Sequence, residues 1–540
     1  MNHRERGNKT IREERFMPDL RFRRATVWIL FCGAVLPALF YAFAQNNGGD
    51  AFTRAAITAK WLENPTWQLD AFGAYLPLHF WLMAGMTLIT GDAITAGRLL
   101  SLILGVASVF VFWWLAHEVY DSVAANVSTL VFSLYSLHIA YCNASAAESP
   151  YLLFLLTGLA CFFTYKRTSY LGWLASSGIS LTLAAAIRYE AWVIIFAVGL
   201  VLIGSPSKLF RPEFWGIRRS LQLAVFGATA GAWPVLFMLF AWRKYRDPLY
   251  FVTMQKTWVA EIGSFAHHSL FYILAFFPGV LVLTLSPLAL GAALYGLWLS
   301  RDEPSYRKVY LFIVLGFGAI QLYQLASGGT WPAARFTITL GTLLAVTSGF
   351  GIEQFSTRLS QRAAKGVYVA LFLTLMFNLG GIIILSRGHS RFADKFRSIS
   401  PFLQFPRRIE GVRKYLQPRL KPSESVVIDN YNCESNIVAA AIGLPLFSGQ
   451  RAFLAAARIH SYTCESTTPL SAAIIRQDAE DLRLYTEKLR PKYVIYSDSG
   501  TLKSYLPLSA SCGPEEFVHG MKFRCVFQDD IYSVYEVSYP

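Results

Sequence analysis

The sequence predicts a polytopic α-helical membrane protein with an α/β domain outside the membrane. Of its 540 residues, 54% are hydrophobic, and the mean hydropathy is +0.38. Apolar runs of roughly 18 or more residues, each long enough to cross the hydrocarbon core as a helix, recur between residues 25 and 387. Residues 388–540 are more polar and hold four of the seven cysteines. These observations divide the chain into a basic tail (1–24), a membrane domain (25–387) and an outer domain (388–540).

The N-terminal tail holds eight Lys and Arg residues, and no cleavage-like site follows it. A tail of this length and charge is not typical of a cleaved signal peptide. We therefore expect a cytoplasmic tail that leads into a retained first span. The net charge of +15 does not indicate a nucleic-acid partner, because the basic residues cluster between apolar runs as the positive-inside rule requires.

The same rule decides the predicted topology. The short apolar segment 75–90 is either a span or a helix at the outer surface. Only the surface interpretation turns the basic loops to the cytoplasm, namely 166–169, 205–220, 301–308 and 356–365. It predicts about eleven transmembrane helices, at residues 25–44, 97–118, 122–141, 149–165, 170–187, 190–204, 221–241, 278–299, 309–326, 336–352 and 366–386. An odd number of spans places the C-terminal domain outside.

The sequence predicts that the outer domain is a small α/β unit. The segments "SVVIDN" (425–430) and "KYVIYSDSG" (492–500) are typical of buried strands, and residues 436–444 of a helix. Its even set of cysteines is typical of two disulfides in an oxidising compartment, with four free thiols as the alternative. The four are Cys433, Cys464, Cys512 and Cys525. Their connectivity is open, and Cys512 with Cys525 is the simplest pair.

Ionisable residues recur at the predicted outer ends of the spans. They are Asp50 and Arg54 after the first span, Glu148, Arg188 with Glu190, Lys256, and Arg335 in "GGTWPAARFT". Such groups are costly at a membrane edge unless they are paired, solvated or used. Carboxylates can activate a hydroxyl or amine nucleophile, and cations can hold a phosphate at headgroup height. The set suits group transfer from a phospholipid-like carrier to an acceptor outside the cytoplasm.

The order of these features resembles a known superfamily. An acid after the first span, a surface helix with Pro and aromatic residues ("YLPLHFWL"), a second acid in the second outer loop and a late Arg-aromatic pair ("ARF") follow one another. In this the chain is similar to the GT-C integral-membrane glycosyltransferases, which use polyprenyl-phosphate sugars. The nearest branch is bacterial and resembles protein O-mannosyltransferases and lipid A aminoarabinose transferases. The resemblance covers nearly the whole chain.

The resemblance implies roles for individual residues. Asp50 matches the first-loop acid, a candidate general base. Glu148 matches the second-loop acid, which would orient the acceptor, and Arg335 the late Arg near the donor phosphate. The other substrate-binding candidates are Arg54, Arg188, Glu190 and Lys256. The resemblance further implies inversion at the sugar, a polyprenyl-phosphate donor, an extracytoplasmic acceptor, no cofactor and location in a bacterial inner membrane.

Plainer interpretations stay open for these residues. Asp50 suits an N-cap for the helix that follows, and Arg54 is one turn on and placed to pair with it. Glu148 suits a turn residue ahead of Pro150. The remaining residues suit an interfacial ion pair (Arg188 with Glu190), a snorkelling cation (Arg335) and a side chain remote from the site (Lys256).

Two other classes of protein also stay open. A transporter or flippase predicts inverted repeats and helices broken at mid-membrane depth, and neither is evident in the sequence. A membrane scaffold whose outer domain binds a partner predicts no convergence of acids. A metal site is not indicated, because His267 and His268 have no acid or cysteine at helical ligand spacing.

Overall fold

The computed structural model describes the following residues: 20–43, 48–72, 75–204, 216–254, 270–302, 305–327, 329–330, 332–387, 396, 399–400, 407–421, 424, 426–429, 459–461, 490–497, 506–509, 512–518 and 520–540. The helices of the first part of the chain are α1 (Leu20–Phe43), α2 (Gly48–Glu63), α3 (Leu78–Thr90), α4 (Ala93–Val119), α5 (Ser122–Ser133), α6 (Ser136–Cys142), α7 (Glu148–Thr168), α8 (Leu171–Ala185) and α9 (Glu190–Ile203). Those that follow are α10 (Ile217–Ala230), α11 (Ala232–Tyr245), α12 (Leu270–Leu285), α13 (Pro287–Ser300), α14 (Ser305–Ala326), α15 (Ile338–Ser356), α16 (Gln361–Ser386) and α17 (Arg407–Leu416), with a 3-10 turn at Ala334–Thr337.

Five helices of the described part are long and apolar enough to cross a membrane alone. Three further helix pairs pass the same test together, which gives up to eight spans. Helices α3, α8 and α9 are apolar but shorter. The helical membrane protein is therefore confirmed, whereas the number eleven remains a prediction.

Three predicted spans are wrong in one respect, because they are not continuous helices. The span 122–141 bends by 62° between α5 and α6, and the span 221–241 bends by 57° between α10 and α11. The span 278–299 bends by 111° between α12 and α13. Apolar composition reports that a segment lies in the membrane, but it does not report a change of helix direction.

The sharpest bend has a local cause. Ser286 has a φ of +75°, and its side chain accepts a hydrogen bond from the backbone N–H of Ala289 at 3.3 Å. Pro287 then opens α13 at the position where its missing N–H costs nothing. The dipeptide Ser286-Pro287 thus ends one helix and caps the next.

Helix α15 runs through the centre of the bundle, and 83% of its most apolar stretch is buried. Glycines allow its neighbours to approach. A Cβ atom added at Gly349 would overlap the carbonyl of Ala124 on α5, and one at Gly351 would overlap the carbonyl of Ala292 on α13. Membrane helices lack a hydrophobic driving force between them and associate through such close contacts of small residues.

The predicted surface segment contains helix α3. It begins after Pro77 and ends at Gly91, which has a φ of +77°. Its 13 residues extend for about 20 Å, less than the roughly 30 Å of the hydrocarbon core. This length fits a helix that does not span by itself. Asp92 then caps α4 by accepting the N–H of Thr95 at 2.7 Å.

The C-terminal region forms a six-stranded sheet in the order β2-β1-β3-β6-β5-β4. The strands are β1 (Val426–Ile428), β2 (Ile459–Ser461), β3 (Tyr493–Tyr496), β4 (Glu516–Val518), β5 (Met521–Gln528) and β6 (Ser533–Ser538). β2, β1 and β3 are parallel and the rest antiparallel. Helix α17 covers the sheet through Ile409, Val412 and Leu416. The two predicted strands are confirmed as β1 and β3, while the predicted helix 436–444 lies outside the described residues.

One predicted disulfide is present in this domain. Cys512 and Cys525 are bonded, with their Cα atoms 5.3 Å apart. The bond joins the segment before β4 to the middle of β5. Cys433 and Cys464 lie outside the described residues, so the second predicted disulfide stays a prediction.

Candidate active site

Three charged side chains form a buried cluster where α7 and α9 begin. Arg188 donates to Glu148 through Nη1, and to Glu190 through Nη2 and through Nε, the last at 3.0 Å. The Arg188 side chain is 9% exposed, that of Glu148 4% and that of Glu190 19%. Buried charges of this kind persist only when they are paired. Burial would lower the pKa of the Arg188 guanidinium, but the two carboxylates outweigh it and raise that pKa above its ordinary value.

The backbone explains why the two carboxylates lie there. Glu148 is the first residue of α7, and Glu190 is the first residue of α9. Acids are stabilised in the first turn of a helix by the partial positive charge of its free N–H groups. Arg188 lies in the turn that joins α8 to α9, where its N–H donates to the carbonyl of Ala184 at 3.0 Å. Two helix starts therefore present acids to one arginine.

Aromatic rings frame this cluster. The Arg188 guanidinium carbon is 5.7 Å from the ring centre of Tyr151 and 5.8 Å from that of Phe336. Arg335 lies 5.1 Å from the same Phe336 ring and acts electrostatically on Glu190. Two guanidinium groups therefore flank one ring, a favourable arrangement for cations that are partly desolvated.

Arg54 on α2 lies on an adjacent aromatic wall. It is 8% exposed, and its guanidinium carbon is 4.2 Å from the ring centre of Tyr75 and 5.6 Å from that of Phe80. The wall is tied to the charged cluster through the backbone, since the N–H of Leu78 donates to the carbonyl of Ala186 at 3.2 Å. This hydrogen bond places the aromatic wall beside the charged cluster.

The structure brings together three of the predicted site residues and places a fourth beside them. The ion pair that was the alternative for Arg188 and Glu190 is present, and it includes Glu148. Glu148 is a helical residue and not a turn residue ahead of the helix, because α7 begins at Glu148 itself. Arg335 stands next to this cluster, and Arg54 stands on the aromatic wall.

Two predicted residues have side chains outside the described part of the chain, Asp50 and Lys256. Helix α2 begins at Gly48, so the backbone of Asp50 lies in the first helical turn and not at the N-cap. An acid in that turn is still favoured by the helix dipole. The catalytic role of Asp50 and the binding role of Lys256 stay predictions. His267 and His268 also lie outside the described part, and within it no group of three or more His, Cys, Asp or Glu side chains could hold a metal.

A second polar cluster lies on the segment between α2 and α3, and sequence reasoning missed it. Asp70 accepts hydrogen bonds from Lys244 and from the Tyr245 hydroxyl at the end of α11. No sequence pattern links Asp70 with Lys244 and Tyr245, because they lie more than 170 residues apart. The pairing anchors the segment whose Trp67 packs 6.4 Å from Trp61 on α2 and 5.6 Å from Trp81 on α3.

Comparison with known proteins assigns this architecture to a class, a glycosyltransferase-like membrane fold. Residues 74–233 match the family model described as dolichyl-phosphate-mannose-protein mannosyltransferase. No curated protein matches the chain by sequence.

Solved structures are similar in fold over a larger part of the chain than the family model covers. The apo form of ArnT from Cupriavidus metallidurans superposes with a TM-score of 0.60 at 14% identity, over 95% of this chain and 98% of ArnT. The same ArnT bound to undecaprenyl phosphate superposes with a TM-score of 0.57 at 13% identity, over 94% of this chain and 97% of ArnT. The apo oligosaccharyltransferase from Archaeoglobus fulgidus superposes with a TM-score of 0.50 at 13% identity, over 87% of this chain and 69% of the oligosaccharyltransferase. The similarity in fold to membrane glycosyltransferases that the sequence indicated is confirmed.

Proposed function

We propose that the chain is an inverting glycosyltransferase that moves a sugar from a polyprenyl-phosphate donor to an acceptor at the extracytoplasmic face of a bacterial inner membrane. The observation that carries the proposal is the charged cluster of Glu148, Arg188 and Glu190 beside Arg335, in a fold similar to ArnT. One solved form of that ArnT is bound to undecaprenyl phosphate. The acceptor is a protein, a lipid or a glycan.

The charge balance of the cluster suits an incoming phosphate. Two carboxylates are offset by Arg188 and Arg335, so the described cluster carries no net negative charge that would repel an anion. Guanidinium groups bind phosphate oxygens through paired N–H donors. We assign the phosphate to Arg335, with Arg54 and Lys256 as further contacts. Glu148 and Glu190 then hold Arg188 in place, and Glu148 orients the acceptor through Arg188 and not by direct contact.

The reaction is a single displacement. Asp50 takes the proton of the acceptor hydroxyl or amine, and the freed lone pair attacks the anomeric carbon opposite the phosphate. The bond from that carbon to the phosphate oxygen breaks, and the carrier phosphate leaves with the electron pair. A phosphate is a good leaving group, so no second carboxylic acid is needed, unlike in most glycosidases, where an acid protonates a poor leaving group.

The test is sugar transfer from a panel of radiolabelled polyprenyl-phosphate sugars by the purified wild type and by Asp50→Asn. We expect transfer to fall by a factor of about 100 or more in the variant, because removing a general base costs roughly 10²–10⁴-fold. The matched control is Asp247→Asn. Asp247 is also an acid near a predicted outer helix end, but its carboxylate is engaged locally by the Leu249 N–H and the Thr253 hydroxyl. Equal transfer by the wild type and Asp50→Asn would remove Asp50 from the chemistry.

A transporter or flippase is the second candidate, and the three bent helix pairs favour it, since helices broken in the membrane are one of its two expected features. It predicts movement of the lipid-linked donor across a proteoliposome membrane without loss of its sugar. Transfer of the sugar to an acceptor in the same vesicles, with no net movement of the carrier, would decide for the enzyme.

A further inference from the structure

Arg98, on α4, binds two separate segments of the backbone at once. Its Nε donates to the carbonyl of Asn143 at 3.1 Å, and its Nη2 donates to the carbonyl of Tyr41 at 3.1 Å. The guanidinium carbon also lies 4.5 Å from the centre of the Tyr41 ring. Hydrogen bonds from an ionised donor are stronger than neutral ones. One side chain therefore joins the last turn of α1 to the segment 143–147 between α6 and α7.

These two segments lead to the two acids of the proposed function. Tyr41 lies just before Phe43, where α1 ends, and Asp50 follows in the first turn of α2. Asn143 caps α6, and Glu148 opens α7 at the end of the same short segment. A displacement of either segment relative to the other would change the distance between Asp50 and Glu148.

The same face of α4 holds the segment 143–147 at further points. The hydroxyl of Ser101 donates to the carbonyl of Ala146 at 3.2 Å, and the hydroxyl of Ser145 donates to the carbonyl of Ile94 at 2.9 Å. A Cβ atom added at Gly97 would lie 2.6 Å from the Cβ of Ser145. Ile94, Gly97, Arg98 and Ser101 share this face at three- and four-residue spacing, so the segment lies directly against α4.

A purely local explanation accounts for only half of this geometry. Cations near a helix C-terminus are stabilised by the free carbonyl groups of the last turn, which explains the bond from Arg98 to Tyr41. It does not explain the second bond to Asn143, which belongs to another part of the chain. The planar guanidinium presents several donors in a fixed fork, which suits two carbonyls on separate segments at the same time.

We propose that Arg98 is a positioning residue that fixes the last turn of α1, which precedes the helix of Asp50, relative to the segment 143–147, which precedes Glu148. The inference rests on the proposed function, because it gives both acids a place in one site. Arg98→Met keeps the apolar stem and removes both hydrogen bonds. It lowers kcat about 10- to 100-fold with the KM for the donor changed by less than about threefold, since small displacements of reacting groups cost rate and not binding. Arg98→Lys, which retains a charged donor group but not the planar fork, recovers part of kcat.

The matched control is Arg307→Met. Arg307 also donates to a backbone carbonyl, that of Val119 at 3.4 Å, and also packs on an aromatic ring, that of Phe350 at 4.5 Å. It does so at the opposite end of α4, away from both acids. We expect it to lower the thermal stability in detergent while kcat is unchanged. A fall in kcat equal to that of Arg98→Met would mean that general loosening of α4 explains both, and would overturn the proposal.

Amide hydrogen exchange provides a readout that does not depend on activity. In Arg98→Met, we expect the backbone amides of residues 41–43 and of residues 143–147 both to exchange faster than in the wild type. In Arg307→Met, we expect both segments to exchange at the wild-type rate. Faster exchange at 41–43 alone would reduce Arg98 to a helix cap and overturn the proposal. Faster exchange at both segments in a protein whose wild type transfers no sugar would retain the positioning role and overturn the proposed function instead.

A double-variant cycle completes the test. If Arg98 acts by positioning the base, then Asp50→Asn with Arg98→Met has nearly the residual rate of Asp50→Asn alone. Losses that multiply in the double variant would show that Arg98 acts independently of Asp50, and would contradict the proposal.

Discussion

At the scale of single residues, the stability of the candidate site depends on one guanidinium. Arg188 is the partner of two buried carboxylates, those of Glu148 and Glu190. Removal of the Arg188 guanidinium leaves the two negative carboxylates close together in a site with little access to water. The loss of one partner from a buried ion pair is costly mainly because of the charge that stays behind.

Arg188→Met is therefore expected to lower the free energy of unfolding in bicelles by about 3–5 kcal/mol. The triple variant that also carries Glu148→Gln and Glu190→Gln should recover most of this loss, because no unpaired charge remains. Arg301→Met serves as the control. Arg301 pairs with Asp302 at 3.0 Å, but both side chains are exposed, at 54% and 77%, and such pairs are worth only about 0–1 kcal/mol. Equal losses in Arg188→Met and Arg301→Met would contradict the buried-cluster argument.

The sequence predicted which residues form the candidate site better than it predicted the contacts between them. Glu148, Arg188, Glu190 and Arg335 were all selected, because ionisable groups at helix ends in a membrane protein require a reason. The sequence did not indicate that Glu148 shares Arg188 with Glu190, since that contact depends on how α7 and α9 lie side by side. Arg98 was not selected at all, because its partners are backbone carbonyls, which leave no trace in a sequence.

At the scale of elements, the segment between α2 and α3 is held by a charged contact. Burial alone would raise the pKa of the Asp70 carboxyl, but hydrogen bonds from Lys244 and Tyr245 outweigh it and bring that pKa below its ordinary value of 3.8. A lowered folded-state pKa gives stabilisation that is complete above the unfolded value and is lost as the pH falls through the folded value. The contact should therefore hold at neutral pH and weaken only below about pH 3.8.

The distance between spin labels at positions 68 and 242 measures this docking. We expect one narrow distance distribution at neutral pH that broadens in acid below pH 3.8. Lys244→Met should give the broad distribution already at neutral pH and remove the acid transition. The neighbouring exposed cation provides the control, since Arg243→Met should behave as the wild type. A narrow distribution for Lys244→Met at neutral pH would show that the packing of Trp67 holds the segment without the ion pair.

The elements themselves were predicted unevenly. Long apolar runs identified α4, α15 and α16, because hydropathy reports the position of a segment in the membrane. The bend at Ser286 was missed, although the pair Ser286-Pro287 carries a local signal for a helix end and a new start. The break at 134–135 lies in apolar sequence without Gly or Pro, so tertiary packing determines it. The break at Gly231 does have a local signal, since Pro234 follows in the first turn of α11.

At the scale of the whole molecule, the predicted topology can be checked by labelling with a membrane-impermeant maleimide. In a background without Cys32, we expect Trp67→Cys and Phe517→Cys to be labelled in intact spheroplasts. Both native side chains are well exposed, at 79% and 73%. Arg358→Cys, in the turn between α15 and α16, should be labelled only after lysis, because basic loops stay on the cytoplasmic side.

The opposite pattern, with labelling at 358 and protection at 67 and 517, would show that the protein has the opposite orientation and that the site faces the cytoplasm. The disulfide between Cys512 and Cys525 agrees with an oxidising compartment for the C-terminal domain. The labelling result would therefore decide the orientation of the candidate site and of the outer domain together.

The short helices α8 and α9 have a further consequence for the surrounding lipid. They contain 15 and 14 residues, which gives each a length of about 21–23 Å against a hydrocarbon core of roughly 30 Å. Ile179 and Phe196 on these helices are 52% and 63% exposed. A bilayer compensates for such hydrophobic mismatch by thinning locally. Because Arg188 lies in the turn between these two predicted spans, such thinning would adjoin the candidate site and would bring the phosphate of the proposed donor closer to its guanidinium groups.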